Sequence, residues 1–97
     1  MVEHMVIFKF GPETTDEQLD ECVRRASALQ HEIPGILDFV AGRDFSGRNQ
    51  GFQVGLTARF EDRAALANYT PHPKHQEFVQ FTVDIGRQDI IVLDYDI

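Results

Sequence analysis

The chain has 97 residues, which is enough for one domain with a single core but little more. Its 42% hydrophobic and 26% charged residues are typical of an ordinary globular protein rather than a disordered one. Sixteen acidic residues against nine basic ones give a net charge of −7, which repels nucleic acid and anionic membrane surfaces. We therefore expect neither as a partner.

The sequence predicts no membrane span, secretion signal or disulfide. No apolar run approaches the ~20 residues of a membrane-crossing helix, and the first residues lack the basic and apolar regions of a signal peptide. Cys22 is the only cysteine, so no disulfide can form within the chain. A cytoplasmic protein is the simplest interpretation, with Cys22 as a small core residue rather than a nucleophile.

The first strand is predicted from Val2 to Phe10 by its β-branched and aromatic residues. One face of this strand carries Val2, His4, Val6, Phe8 and Phe10. Met5 and Ile7 lie in the middle of the other face. Both faces are therefore partly apolar, which is more than a sheet with one solvated side needs.

A helix and a second strand follow. Gly11-Pro12 ends the first strand, and Thr14 or Thr15 caps a helix that runs to about His31. Its apolar stripe consists of Leu19, Cys22, Val23, Ala26 and Leu29. After the turn at Pro34-Gly35, a strand is predicted from Ile36 to Arg43. Ile36 and Val40 should lie on one of its faces, and Phe39 and Ala41 on the other.

A polar connection from Phe45 to Gly51 leads to a third strand with strict alternation. One face of it carries Phe52, Val54, Leu56, Ala58 and Phe60, and the other carries Gln53, Gly55, Thr57 and Arg59. A short helix should then run from Glu61-Asp62 to Tyr69. Ile90 to Tyr95 is predicted as the last strand.

A segment from Tyr69 to Phe78 connects the short helix to the last part of the chain. It places two histidines and a tyrosine within seven residues. Pro71 and Pro73 should end one helix near Tyr69, and Pro73 can open another that runs to about Thr82. Helical spacing then places His75 on the buried face with Phe78. An imidazole on an apolar face is either a hydrogen-bonded structural residue or a functional one, and the sequence leaves both readings open.

The element order is β-α-β-β-α-β, with the last helical region broken in two. This order predicts an α+β, ferredoxin-like fold with a four-stranded antiparallel sheet in a single domain, residues 1–97. Because the helices cover one face only, Met5, Ile7 and one side of the last strand stay apolar on the other. We expect a second copy to cover them, sheet against sheet, in a homodimer.

Several short motifs are distributed over nearly the whole chain. They are His4 before Phe8-Lys9-Phe10, Ile33-Pro-Gly35, Gly42-Arg-Asp44, Phe60-Glu61, Tyr69-x-x-His-Pro-x-His75 and Leu93-Asp-Tyr95. Together they resemble the stress-responsive α/β-barrel (Dabb) domain family. The resemblance implies a dimeric α/β barrel closed by two sheets, with a pocket between each sheet and its own helices.

The resemblance extends to plant polyketide cyclases of the olivetolic acid cyclase type, which perform an intramolecular aldol closure without a cofactor. Their catalytic tyrosine and histidine fall on Tyr69 and His75, and a histidine of their first strand falls on His4. A pocket histidine in their third strand corresponds here to Val54, so the substrate need not be oriented in the same way.

These residues define a candidate site. We expect a pocket walled by His4, Val6, Phe8, Val54, Leu56 and Phe78, with Tyr69 and His75 at its polar end. His4 is either a polar residue at a fraying strand end or a ligand-binding wall residue. Tyr69 is either core filler or the hydrogen-bonding partner of His75.

No cofactor or metal is expected at this site. His72 and His75 have a spacing that occurs in metal sites, but such a site needs three or four ligands, and His4 is the only further histidine that strand geometry could bring near. The prolines on both sides of His72 indicate a capping or turn role for it. Two functions remain open: cofactor-free acid–base chemistry on a small apolar carbonyl compound, of the aldol cyclisation or lyase type, or a noncatalytic stress-response or ligand-binding dimer.

Overall fold

In the computed structural model, which describes residues 1–97, three helices cover one face of a four-stranded antiparallel sheet. The elements are β1 (Val2–Phe10), α1 (Asp16–Glu32), β2 (Ile36–Arg43), β3 (Phe52–Phe60), α2 (Arg63–Tyr69), α3 (Pro73–Asp84) and β4 (Arg87–Asp96). The strand order is β2-β3-β1-β4, so β1 lies inside the sheet. The predicted ferredoxin-like architecture is confirmed, although the last strand begins at Arg87 rather than Ile90.

The core lies between the helices and the face of β1 that carries His4, Val6 and Phe8, all of them buried. The stripe of α1 packs into it, and burial raises the pKa of the Cys22 thiol to about 11, as expected for an inert core cysteine. Met5 on the opposite face of β1 is 36% exposed. None of the three helices combines the length and apolarity that crossing a bilayer requires.

A β-bulge in β3 moves one aromatic residue away from its predicted face. Gln53 is an extra residue opposite the end of β1, so Phe52 pairs with Lys9 and stands outside the buried core. The Gln53 amide instead accepts a hydrogen bond from the Phe10 N–H at 2.9 Å and donates one to the Phe10 carbonyl at 3.3 Å. The prediction that Phe52 lies on the core face is therefore wrong.

A second bulge lies in β2. Ile36 and Asp38 pair with consecutive residues of β3, which leaves Leu37 as the extra residue. Ile36 therefore faces the helices together with Phe39 and packs against the core. The prediction that Ile36 lies opposite Phe39 is wrong, because one inserted residue reverses the faces of a strand with period two.

The helical region is broken where the prolines predict. Asp62 caps α2, with its carboxylate accepting from the Ala65 N–H at 2.8 Å. His72 caps α3, with its Nδ1 accepting from the Lys74 N–H at 3.1 Å. The capping role predicted for His72 is confirmed. The His72 cap fixes the start of α3, three residues before His75, and Tyr69 is the last residue of α2.

Loss of the His72 cap should destabilise the fold. We expect His72→Ala to lower the free energy of unfolding by about 1 kcal/mol, the usual effect of removing an N-cap. His72→Asn should keep most of that stability, because asparagine is a preferred cap. Urea unfolding at pH 8 and one fixed protein concentration measures both. Equal losses for the two variants would contradict the capping role.

Candidate functional site

Three polar aromatic rings from three elements meet between the sheet and α2–α3. The ring centroids of Tyr69 and His75 are 4.3 Å apart, with the ring planes tilted by 43°. His4 of β1 approaches Tyr69 edge-to-face, with centroids 5.9 Å apart. Tyr69 is 2% exposed and His4 8%. The structure thus brings together the three polar residues that the sequence singled out.

The backbone fixes His75 in one tautomer. Its Nδ1 lies 2.8 Å from the carbonyl oxygen of Thr70. Because a carbonyl can only accept, Nδ1 carries the proton, and Nε2 of the neutral ring holds the lone pair. Burial lowers the pKa of His75 below its ordinary value, against a smaller opposing effect of the Thr70 hydrogen bond. The ring is therefore neutral at pH 7, with Nε2 as its basic atom.

Tyr69 is a hydrogen-bond donor without a partner in the chain. Burial raises the pKa of its phenol above the ordinary range, so the hydroxyl stays protonated. No side-chain oxygen or nitrogen that is completely buried lacks a hydrogen-bond partner. The unpaired Tyr69 hydroxyl must therefore border a small accessible space. An oxygen atom of a ligand in that space could accept a hydrogen bond from the Tyr69 hydroxyl.

Asp94 is the member of this cluster that the sequence analysis missed. It stands directly opposite His4 in the β1–β4 ladder, and its carboxylate accepts a hydrogen bond from His4 Nδ1. The other nitrogen of His4, Nε2, remains without an assigned partner. The closing motif Leu93-Asp-Tyr95 was visible in the sequence. Its contact with His4 depends on the register between strands at opposite ends of the chain, which no local signal gives.

The apolar residues expected to wall a pocket pack together in the core between the sheet and the helices. They are Val6, Phe8, Val54, Leu56 and Phe78, and all belong to the buried core. Phe8 and Phe78 meet edge-to-face with centroids 5.9 Å apart. The structure thus locates the walls, whereas a ligand pocket between them stays a prediction.

One cavity borders this region, and a second lies on the opposite face of the sheet. The first, of about 350 Å³, lies between α2 and the end of β4 and is bordered by Leu66 and Asp94. Leu66 precedes Tyr69 by about one helical turn, and Asp94 holds His4, so this cavity adjoins the ring cluster. The other, of about 820 Å³, is a groove on the sheet face opposite the helices, where it is lined by Met5, Ile7 and Ile91.

His72 and His75 each form a hydrogen bond with a nearby backbone group. His72 Nδ1 accepts from Lys74, and His75 Nδ1 donates to Thr70. No group of three or more His, Cys, Asp or Glu side chains is placed to hold a metal ion. The cluster therefore offers a base, a donor and an Asp–His pair as its polar groups.

A family model described as "Stress responsive A/B Barrel Domain" (Dabb) matches residues 2–97. The chain is 31% identical over 97 residues to the stress-response A/B barrel domain-containing protein HS1 of Arabidopsis thaliana, covering 97% of this chain and 87% of that protein. It is also 29% identical over 99 residues to olivetolic acid cyclase of Cannabis sativa, with 97% and 94% covered.

Solved structures share the fold. Hydroxynitrile lyase from Passiflora edulis superimposes with a TM-score of 0.85 at 24% identity, covering 99% of this chain and 92% of that one. A dimeric ferredoxin-like protein of unknown function from Jannaschia sp. CCS1 gives 0.80 at 28% identity, with 99% and 98% covered. The family model and the relatives agree over almost the full length, and the chain belongs to the stress responsive A/B barrel domain family.

Proposed function

We propose that this protein is a homodimer that binds a small apolar carbonyl compound beside Tyr69 and His75 and performs cofactor-independent acid–base chemistry on it. The observation that carries this proposal is the ring contact between a neutral His75, whose Nε2 has no partner in the chain, and Tyr69, whose hydroxyl also has none. A base and a donor side by side are what proton removal next to a carbonyl requires.

In the proposed reaction, Nε2 of His75 removes a proton from the carbon next to the carbonyl. The negative charge that develops on the carbonyl oxygen is stabilised by the Tyr69 hydroxyl. The resulting enolate attacks a second carbonyl of the same molecule, and the protonated His75 returns its proton to the new alkoxide. Run in reverse, the same proton transfers cleave a carbon–carbon bond, which is chemistry of the lyase type.

The walls of the proposed pocket favour an apolar substrate. Val54 offers no hydrogen bond, and Phe8 and Phe78 present aromatic rings. His4, held by Asp94, is the further polar group beside Tyr69. We propose that the substrate enters by way of the cavity between α2 and β4, since this cavity borders Asp94.

The relatives support this class of chemistry without fixing the substrate. Olivetolic acid cyclase is named for a ring closure, and it matches this chain over 97% of its length. The Passiflora edulis protein is named a lyase and shares the fold at 24% identity. The name of HS1, by contrast, states only a stress response and a domain type.

A noncatalytic ligand-binding or stress-response dimer is the second candidate. The observation that favours it is the close packing of the wall residues, which leaves the cluster inside a continuous core. In that case the His75–Thr70 hydrogen bond and the Asp94–His4 pair would serve stability alone. Measurements of turnover and of binding separate the two candidates.

The proposed homodimer rests on the sheet face opposite the helices. The apolar residues exposed there are Met5, Ile7, Val40, Ile91, Leu93 and Tyr95. They lie on β1, β4 and β2, and β3, which stands between β1 and β2, adds Gly55, Thr57 and Arg59 to the same face. An exposed apolar patch commonly marks an interaction surface. The Jannaschia relative, described as dimeric, is consistent with a second copy covering this face.

A charge in the middle of this face should prevent dimer formation. We expect Ile7→Asp to weaken the dimer by at least 100-fold, because it would bury an unpaired carboxylate. Val83→Asp on the exposed side of α3 is the matched control and should leave the dimer intact. Sedimentation equilibrium from nanomolar to micromolar concentration checks this, and a wild-type monomer throughout that range would refute the homodimer.

Proton removal by His75 can be tested without knowing the natural substrate. The protein should accelerate exchange of the α-protons of acetophenone in heavy water, followed by proton NMR. His75→Ala should slow this exchange by roughly 10²–10⁴-fold, the usual contribution of a positioned base. Tyr69→Phe should cost less if the tyrosine only orients the base, and His31→Ala, on the exposed end of α1, should cost nothing.

Two outcomes of this exchange experiment would count against the enzyme. Full exchange activity in His75→Ala would contradict the assignment of the base. Binding of acetophenone to the wild type, seen as shifts of the His75 resonances but without any exchange, would favour the ligand-binding alternative.

The lowered pKa of His75 predicts a pH dependence of stability. On acidification the unfolded chain takes up this proton near pH 6.5, before the folded protein does. Stability is therefore full above about pH 6.5 and falls as the pH drops through the lower folded pKa. The free energy of unfolding should decline more between pH 8 and 5 for the wild type than for His75→Gln. Equal declines would show that His75 is not desolvated in the folded state.

A further inference from the structure

Phe45, at the start of the β2–β3 connection, is fully exposed to solvent. Its side chain is 100% exposed, whereas the next most exposed large hydrophobic residue, Val40, reaches 59%. Scattered apolar residues at the surface are normal. Phe45 differs from them in two ways: hydrogen bonds hold its loop, and this loop borders a groove on the sheet.

The loop that carries Phe45 is pinned by the carboxylate of Asp44. This carboxylate accepts hydrogen bonds from the Ser46 hydroxyl at 2.7 Å, the Gly47 N–H at 2.9 Å and the Asn49 amide at 3.0 Å. These bonds, the one from Ser46 first, lower the pKa of Asp44 and keep it ionised. The backbone on both sides of Phe45 is thus tied into a hydrogen-bonded loop, from which the ring extends into solvent.

The same loop forms one wall of the groove of about 820 Å³ on the sheet face opposite the helices, which we call the open face. The floor of the groove includes Met5, Ile7, Val40 and Ile91, and Phe45 and Arg48 stand at its rim. An apolar groove and an exposed aromatic ring therefore lie on the same side of the molecule. In a twofold dimer each copy presents both features to the other.

The size of the sheet supports a contribution from the loop. A nine-residue strand is about 30 Å long, and four strands span about 19 Å, so the open face projects roughly 600 Å². A standard interface buries about 800 Å² on each partner. A phenylalanine side chain can bury roughly 150–250 Å², which would add to the area that two sheet faces bury against each other.

We infer that Phe45 anchors self-association by packing into the open-face groove of a second copy of this chain. The inference rests on the homodimer of the proposed function and goes beyond it, because it assigns the anchor to a loop residue outside the sheet. Asp44 acts as the positioning residue, since its hydrogen bonds to Ser46, Gly47 and Asn49 hold the loop that carries the ring. A second copy is the occupant because the groove floor belongs to the apolar face that a partner sheet would cover.

The protein has no tryptophan, which allows a direct optical test. Phe45→Trp introduces one indole at the proposed anchor position. Its emission should shift to the blue, from that of a solvated indole towards that of a buried one, as the concentration rises through the dimer dissociation constant measured by sedimentation. Val83→Trp, on the exposed side of α3, should show no shift over the same range.

Truncation of the ring gives the energetic test. Phe45→Ala should raise the dimer dissociation constant by about 30-fold, as expected for an interface hot spot. Val83→Ala should leave it unchanged. Asp44→Ala, which keeps the ring but frees the loop, should raise it by a smaller factor, roughly threefold to tenfold, because the ring must then be ordered on binding.

The outcomes separate this inference from the dimer itself. If the wild type is a dimer that Ile7→Asp disrupts, while the indole at position 45 stays solvated and Phe45→Ala leaves the dissociation constant unchanged, the anchor is refuted and the sheet-to-sheet dimer stands. If the wild type is monomeric at every concentration, both are refuted. A concentration-dependent blue shift together with weakened association in Phe45→Ala supports the anchor.

Discussion

The carbonyl group of Thr70 is the constraint on which the candidate site depends. In an uninterrupted helix this oxygen would accept the N–H of Lys74, four residues on. The break between α2 and α3 gives that N–H to the His72 ring instead. The Thr70 carbonyl is then free to accept from His75 Nδ1 and from the Gln76 amide, both at 2.8 Å. One interrupted helical bond thus sets both the position and the tautomer of His75.

The charge state of the site follows from the same geometry. His75 lies in the first turn of α3, where the helix dipole disfavours a cation, and it is partly withdrawn from water. A second imidazole, His4, lies on the other side of Tyr69 and forms a pair with the Asp94 carboxylate. The two histidines beside Tyr69 therefore have different hydrogen-bond partners: the negatively charged one, a carboxylate, belongs to His4, whereas the hydrogen-bond partner of His75 is a neutral backbone carbonyl.

Local signals in the sequence predicted most of the fold because glycines and prolines mark the ends of the helices and strands. Gly11-Pro12, Pro34-Gly35 and the prolines around His72 lie at the ends of elements, as predicted. Side-chain faces were predicted where alternation is uninterrupted, as along β1. The predicted faces of Ile36 and Phe52 are wrong, because a single bulge residue exchanges the two faces of a strand and leaves no clear signal in the local sequence.

The site was predictable in part, for a related reason. Tyr69 and His75 lie within one short segment, so proline breaks and helical spacing were enough to place their rings together. Asp94 reaches His4 only through the pairing of the first and last strands. Such long-range register is fixed by the whole sheet rather than by any stretch of sequence. Whether the predicted pocket is open depends on how closely the wall side chains pack, which no local pattern in the sequence gives.

Strand β1 connects the two faces of the molecule. His4 points towards the helices and the ring cluster, whereas its neighbour Met5 lies on the open face. Because successive side chains of a strand alternate, residues that contact the candidate site and residues of the proposed dimer face share one backbone. That backbone is hydrogen-bonded on both sides, to β3 and to β4, and β4 carries Asp94 on one face and Leu93 on the other. A partner that packs against Met5 and Leu93 would therefore contact the same two paired strands that hold His4 against Asp94.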